Sequence, residues 1–184
     1  MNMKKIKTYF MTGLPGSGKT TIATETQNVL KILYGVNAIV LDGDRLRAGI
    51  NIDLDFTEQG RTENIRRTAE ITKLFMESEM IPIVSTVTPT NYLRELARKI
   101  LKPENVCFIW IKCDIETCIQ RRSQQGLYEN LKNEPGIINP RFFETPDEYD
   151  LVINTDTSDI SDSVDTLIQK ILQNTRHPYT SRLR

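Results

Sequence analysis

The chain has 184 residues, enough for one domain with a full core and short for two. Its 24 Lys and Arg balance its 24 Asp and Glu, so no summed charge draws it to nucleic acid or to an anionic membrane, and the expected partner is a small molecule. Nowhere do about eighteen apolar residues run together, and Met1 to Tyr9 carries lysines without the apolar stretch of a secretory signal, so the expected compartment is the cytoplasm.

Short apolar runs alternate with longer segments of helical period, the pattern of a three-layer α/β fold: a mostly parallel sheet with helices on both faces. Ile6 to Met11 is the first predicted strand. Thr20 to Leu33 follows as a helix with Ile22, Val29, Leu30 and Leu33 toward the sheet, and Gly35 suits its C-terminal cap. Ala38 to Leu41 is the second strand. From Glu58 to Ser78, Ile65, Ala69, Thr72 and Met76 fall at helical spacing among charged residues, predicting a long amphipathic helix. Ile81 to Ser85 is a third strand, Tyr92 to Ile100 a helix, Val106 to Ile111 a fourth strand and Ile115 to Arg121 a helix.

Between Ser123 and Pro146 the rhythm breaks at Gly126, Pro135, Gly136, Pro140 and Pro146, and a stretch this long and polar reads as a lid over residues 122 to 146. Tyr149 to Ile153 returns as the last strand, and a helix from about Ser161 to Leu172 closes a single domain expected to span residues 1–175, with a basic tail at 176–184. Cys107, Cys113 and Cys118 are odd in number and lack Cys-x-x-Cys spacing, while the single histidine, His177, lies in the tail. No zinc site is expected, and the thiols read as small apolar side chains.

The first strand runs into Gly13-Leu14-Pro15-Gly16-Ser17-Gly18-Lys19-Thr20, which satisfies Gly-x-x-x-x-Gly-Lys-Thr with a helix behind it. Glycines suit a loop that turns backbone N–H groups inward around a phosphate, and the helix start adds its positive dipole end. In such a P-loop, Lys19 reaches the β and γ phosphates of ATP and the Thr20 hydroxyl binds the bridging Mg2+. The strings Asp-x-x-Gly and Asn-Lys-x-Asp expected of a guanine-nucleotide switch are absent, so a kinase is favoured over a switch. Intact Lys19, Thr20 and Asp44 speak against a silent binding scaffold.

The second strand ends in Leu41-Asp42-Gly43-Asp44-Arg45-Leu46-Arg47, which sets two carboxylates at the sheet edge where ligands of such folds bind. If the next residues coil, Asp44 and Arg47 share one helical face. Asp44 is then the candidate base or orienter for an acceptor hydroxyl, and Arg47 a holder of its anionic part. A surface ion pair is the plainer reading of the same two residues.

The run from Gly13 through Asp42-Gly43-Asp44 to Glu63-Asn64-Ile65-Arg66-Arg67 is similar to adenylylsulfate kinases, with the match covering most of Gly13 to Ala97. The resemblance implies ATP-dependent phosphorylation of the ribose 3'-hydroxyl of adenylylsulfate, giving 3'-phosphoadenylylsulfate and ADP. It implies further that Asp44, Arg47, Phe56, Arg61 and Asn64 line the acceptor site, with Phe56 against a base and Arg61 on the phosphosulfate. Ser85-Thr86-Val87-Thr88-Pro89 resembles the family's Ser-x-Ile-Ser-Pro, which implies acceptor contacts at Val87 and Thr88. Cys118-Ile119-Gln120-Arg121 and Gly126-Leu127-Tyr128 resemble the lid entrance, which implies Arg121 near the adenine or phosphates of ATP. A solvated helix face is the plainer reading of Arg61, Arg66 and Arg67, and it fits Arg66 better than Arg61. Nothing in the chain excludes a homodimer.

Several positions depart from the family pattern. Gln125 stands where the family has Lys before Gly-Leu-Tyr, with one extra residue between Cys118 and Gly126. The family's Phe-Thr-Gly has no clean counterpart, leaving Phe142 or Phe143 to stack on a base or to pack the lid. Asp55 replaces a glycine and Gly60 an acid beside Phe56. The changes gather on the acceptor side, so another nucleotide-linked metabolite, such as a cytidine diphosphate conjugate used in surface polysaccharide modification, is the alternative acceptor.

Overall fold

A computed structural model of the protein describes residues 7–124 and 143–175. In chain order the elements are β1 (Thr8–Thr12), α1 (Lys19–Tyr34), β2 (Ala38–Asp42), α2 (Gly43–Arg47), α3 (Glu58–Glu77), β3 (Ile81–Ser85), α4 (Asn91–Leu101), β4 (Val106–Lys112), α5 (Ile115–Gln124), β5 (Leu151–Asn154) and α6 (Ile160–Thr175). The expected lid lies mostly in residues 125–142 and the tail in 176–184, both outside the described residues.

The five strands form one parallel sheet in the order β2-β3-β1-β4-β5. Side chains alternate across it, so β1 sends Tyr9 and Met11 to one face and Phe10 to the other. On the first face, Ile22, Ala23 and Leu30 of α1 pack with Val164, Leu167, Ile168 and Ile171 of α6. On the second, Ile65 and Ala69 of α3 pack with Leu93, Ala97 and Leu101 of α4, and Phe10 meets Phe108 with ring centroids 5.1 Å apart. This is the expected three-layer fold. The central strands are buried on both sides, which is why they read as continuous apolar runs.

Leu33 corrects one expectation: it is 66% exposed, and in the last turn of α1 it is Tyr34 that packs against the core beside Leu30 and Val36. Gly35 caps that helix in the left-handed conformation at φ 62°, its N–H donating to Leu30 O.

The topology positions the site. From central β1 the chain passes through α1 to the β2 edge and then returns by β3, which pairs with both β2 and β1. The carboxyl ends of β1, β2 and β3 thus converge at the point where the winding changes direction, the usual ligand crevice of open parallel sheets. In register, Ser85 lies beside Asp42 on one flank and Met11 on the other.

Candidate active site

Gly13 to Thr20 joins β1 to α1 as a tight loop. Gly16 and Gly18 sit at φ 86° and 94°, a region that side chains with a Cβ rarely adopt. A Cβ on Gly13 would lie 2.5 Å from Ile111 O, and one on Gly16 2.6 Å from Cys118 O, so the loop is seated against β4 and α5 through its missing side chains. Ser17, which is buried, donates its N–H to Leu14 O at 3.1 Å, while Leu14 and Pro15 are half-buried at the rim. No side chain caps α1 at Gly18, which leaves the helix's first amides for an anion.

Lys19 is 7% exposed and folds back onto the loop, its Nζ donating to Gly13 O at 2.9 Å, Leu14 O at 2.7 Å and Ser17 Oγ at 3.3 Å. Burial pushes its pKa down to about 8, against the opposing pull of Cys118, Asp44 and Asp42. An ammonium buried against neutral oxygens is poised to exchange them for a phosphate.

Asp42 ends β2 and is buried. Its Oδ2 accepts from Thr20 Oγ1 at 2.7 Å, and Thr20 Oγ1 lies 3.1 Å from Ser85 Oγ. Its Oδ1 accepts the N–H groups of Asp44 and Arg45 at 3.1 and 3.0 Å, which caps α2. One carboxylate therefore serves the phosphate-loop threonine and the helix that carries Asp44. The sequence reading gave Asp42 no role; its signal was the first Asp of Asp-Gly-Asp.

α2 does coil, so Asp44 in its first turn and Arg47 in its last share a face. Asp44 is exposed, and its charge acts on both Lys19 and Arg47. Asp42 thus ties the first turn of α1 to the helix that carries Asp44.

Arg47 donates from one nitrogen to Leu54 O and Asp55 O at 3.1 and 3.0 Å, and its guanidinium lies 4.2 Å from the Phe56 ring centroid. Arg61 donates to Phe56 O at 2.9 Å and approaches the same ring at 5.3 Å. Phe56 is 44% exposed between these two cations, a flat apolar surface with positive charge around it. Burial lowers the pKa of both arginines, and Arg47 adds to the effect at Arg61. Asn64, buried one turn after Arg61, accepts from Asn51 Nδ2 at 3.0 Å through its side-chain oxygen. What Asn64 offers a ligand is therefore its NH2 group.

The segment after β3 completes the crevice. Val87 is half-buried, and its carbonyl accepts from Thr12 Oγ1 at 2.8 Å. Thr88 is buried, with its hydroxyl 2.6 Å from that of Thr86, so its side chain is turned into the protein.

Arg121 binds one step below the phosphate loop: it donates to Thr155 O at 2.7 Å and Thr155 Oγ1 at 3.2 Å, and Thr155 Oγ1 donates to Ser17 O at 3.0 Å. Thr155 thus links β5 to the loop, a role that only the folded sheet reveals. Arg66 and Arg67 stand outside the crevice, both bonded to Glu63, with Arg67 also on Asp53 at 2.7 Å. Phe143 packs on Arg94, its centroid 5.4 Å from the guanidinium. Gln125, Gly126, Leu127, Tyr128 and Phe142 lie outside the described residues.

Gly60 is held to a bare backbone by Asp55. A Cβ at this position would fall on Asp55 Oδ1 and lie 2.6 Å from Asp55 O. Asp55 Oδ1 accepts from Thr57 N and Oγ1 at 3.1 and 2.6 Å, and Thr57 Oγ1 accepts from Gly60 N, so Asp55 occupies the space that a side chain at 60 would need and supports the cap of α3.

The adenylylsulphate kinase family model matches residues 5–154. An adenylyl-sulfate kinase of Bacteroides fragilis is 38% identical over 168 residues, covering 89% of this chain and 81% of the relative. One from Bacillus licheniformis is 35% identical over 180 residues, covering 95% and 89%. The solved Mycobacterium tuberculosis APS kinase CysC in complex with AMPPNP and APS superposes with a TM-score of 0.78 at 30% identity, covering 94% of this chain and 98% of that one.

Proposed function

The chain belongs to the adenylylsulfate kinase family, and we propose how its residues divide the work of that reaction. The activity is transfer of the γ-phosphoryl group of ATP to the 3'-hydroxyl of adenylylsulfate. The observation that carries the assignment of roles is the Thr20–Asp42 hydrogen bond, with Asp44 following directly on α2.

Gly13, Leu14, Pro15, Gly16, Ser17 and Gly18 cradle the donor's phosphates through backbone N–H groups. Lys19 moves from the carbonyls of Gly13 and Leu14 to the β and γ phosphates and neutralises charge there as a point cation. Arg121 steadies the floor of this cradle through Thr155 and lies beside the nucleotide.

Three hard oxygens, from Thr20, Asp42 and Ser85, meet beside Lys19, and such a donor set suits Mg2+ held jointly with substrate phosphates. Thr20 would supply the hydroxyl ligand, with Asp42 behind it as acceptor of its hydrogen bond. When bound, the ion supplies charge neutralisation between the β and γ phosphates.

On the acceptor side, Phe56 offers its ring face to the adenine, and Arg47 and Arg61 hold the phosphosulfate with forked N–H donors. Asn64 donates its amide, while Val87 and Thr88 form the opposite wall. Asp44 accepts the proton of the 3'-hydroxyl as that oxygen attacks phosphorus in line with the departing ADP.

The cytidine diphosphate alternative is not favoured, since the family match and the relatives compared are adenylylsulfate kinases. Among the described residues no helix is long and apolar enough to cross a membrane. Three buried free cysteines fit a reducing compartment, the cytoplasm. The exposed Ile32 and Leu33 on α1 offer apolar surface to a second copy in a homodimer, which sedimentation equilibrium tests.

The deciding experiment supplies the purified chain with MgATP and, separately, adenylylsulfate, cytidine diphosphate conjugates and simple alcohols, and follows ADP release. Release that depends on adenylylsulfate supports the reading. Release only with cytidine compounds overturns it.

A further inference from the structure

Arg94 of α4 is 5% exposed, and among the described residues the hydrogen bonds of its guanidinium go to uncharged oxygens. It donates to Thr88 O at 2.7 Å, Glu144 O at 2.6 Å, Asn91 Oδ1 at 3.1 Å and Thr12 Oγ1 at 3.4 Å. Burial lowers its pKa to about 10, with Glu144 and Asp147 opposing the shift. Burying this cation carries a desolvation cost that a leucine of similar bulk would avoid, so packing alone does not account for it.

Its partners point to what it does. Thr88 has φ 43°, a left-handed conformation that is a true outlier for a β-branched residue. Pro89 follows, and a proline disfavours helical backbone in the residue before it. Such strain persists only where the surroundings over-determine it. Here the Thr88 carbonyl accepts from Arg94 and from Thr12 Oγ1 at 3.1 Å, and its hydroxyl is bonded to Thr86. Thr12 is the last residue of β1, directly before the phosphate loop, and Gly13 N donates to Val87 O at 3.4 Å. On its other side Arg94 meets the chain at 143–147, where Glu144 N donates to Pro89 O at 2.8 Å, Asn91 N to Glu144 Oε2 at 2.6 Å and Asp147 N to Asn91 Oδ1 at 3.2 Å. Phe143 covers the guanidinium.

We propose that Arg94 is a positioning residue for the transfer: it locks the strained Thr86–Thr88 wall to the root of the phosphate loop and to residues 143–147, which aligns the acceptor hydroxyl with the donor phosphate. The proposal rests on the functional reading above. It differs from a packing role because the guanidinium's fork reaches two carbonyls on separate segments, a geometry that one ammonium cannot reproduce.

The test compares Arg94→Lys and Arg94→Ala with the wild-type full chain, varying adenylylsulfate and MgATP independently and recording Tm. Arg94→Ala is expected to raise KM for adenylylsulfate about tenfold or more and to lower kcat, with KM for ATP within about twofold, since a displacement near 1 Å at a reacting group is costly. Arg94→Lys recovers only part of this. Thr88→Gly relaxes the backbone strain, so Arg94→Lys costs less in that background than in the wild type. Acceptor and ATP parameters that stay within twofold in Arg94→Lys, or that fall together in proportion to the folded fraction, overturn the proposal. If Arg94→Ala does not fold, Arg94→Lys alone decides by the same criterion. A wild-type chain without adenylylsulfate-dependent ADP release overturns the functional reading and this inference with it, whereas active wild type with unchanged Arg94 variants overturns the inference alone.

Discussion

The hydroxyl of Thr20 and the carboxylate of Asp42 are joined by a 2.7 Å hydrogen bond, which fixes the first turn of α1 to the end of β2. The same carboxylate caps α2, so the donor's threonine and the helix bearing Asp44 are set by one residue.

Asp42→Asn separates the two duties. Asparagine remains a good N-cap, so Tm should stay near the wild-type value, while loss of the negative charge beside Thr20 should lower kcat by about a hundredfold and raise the magnesium concentration needed for half-maximal rate. Asp42→Ala should in addition lose about 1 kcal/mol of stability with the cap, visible in urea unfolding. Normal turnover in Asp42→Asn would remove this residue from the donor side.

Asp44 is exposed and makes no cap, so its replacement tests chemistry with little structural cost. Asp44→Asn should lower kcat by about 10² to 10⁴ while ATP binding, followed by calorimetry, changes little. Lys19→Ala should instead weaken ATP binding and transfer together. A turnover number in Asp44→Asn equal to that of the wild type refutes the base or orienting role.

Gly60 is constrained by Asp55. Gly60→Ala drives a methyl group into Asp55 Oδ1 and its carbonyl, so the loop carrying Phe56 must shift. A loss of about 1 to 3 kcal/mol is expected, together with a higher KM for adenylylsulfate. Asp55→Gly added to Gly60→Ala should recover part of both, and simple additivity of the two changes would show that Asp55 is not what excludes a side chain at position 60.

Glu63 supplies a pH test. Hydrogen bonds from Arg66 and then Arg67 hold its pKa down to about 2, from an ordinary 4.5. A carboxylate whose folded pKa is depressed contributes stability above its unfolded value and loses it as pH falls through the folded one. Tm should therefore decline between about pH 4.5 and 2, and Glu63→Gln should decline less over that window than the wild type. Parallel curves for the two proteins would show that the cluster contributes nothing measurable, as exposed ion pairs sometimes do.

The phosphate loop was legible because its function depends on backbone geometry encoded within eight consecutive positions, from Gly13 to Thr20. Asp44 with Arg47, and Arg61 with Asn64, were legible because helical period places residues three apart on one face. The strands and the long helix α3 were read to within a residue or two for the same local reason. Leu33 was misplaced because periodicity alone does not say which residue of a helix's last turn meets the core, and here that residue is Tyr34.

Sequence by itself determined the alternation of strand and helix, the glycine-rich loop proposed to take ATP and the Asp-Gly-Asp acid proposed to act opposite it, since each follows from local spacing and residue chemistry. Tertiary structure decided that Asp42 would meet Thr20, that Thr155 would carry Arg121 to the loop, that Asp55 would fill the space left at Gly60, and that Arg94 would bind Thr88. These contacts join residues brought side by side by the strand order β2-β3-β1-β4-β5 and by the return of the chain at 143–147. Hydrogen bonds act over about 3 Å, and no pattern in one dimension specifies which distant segments come within that range.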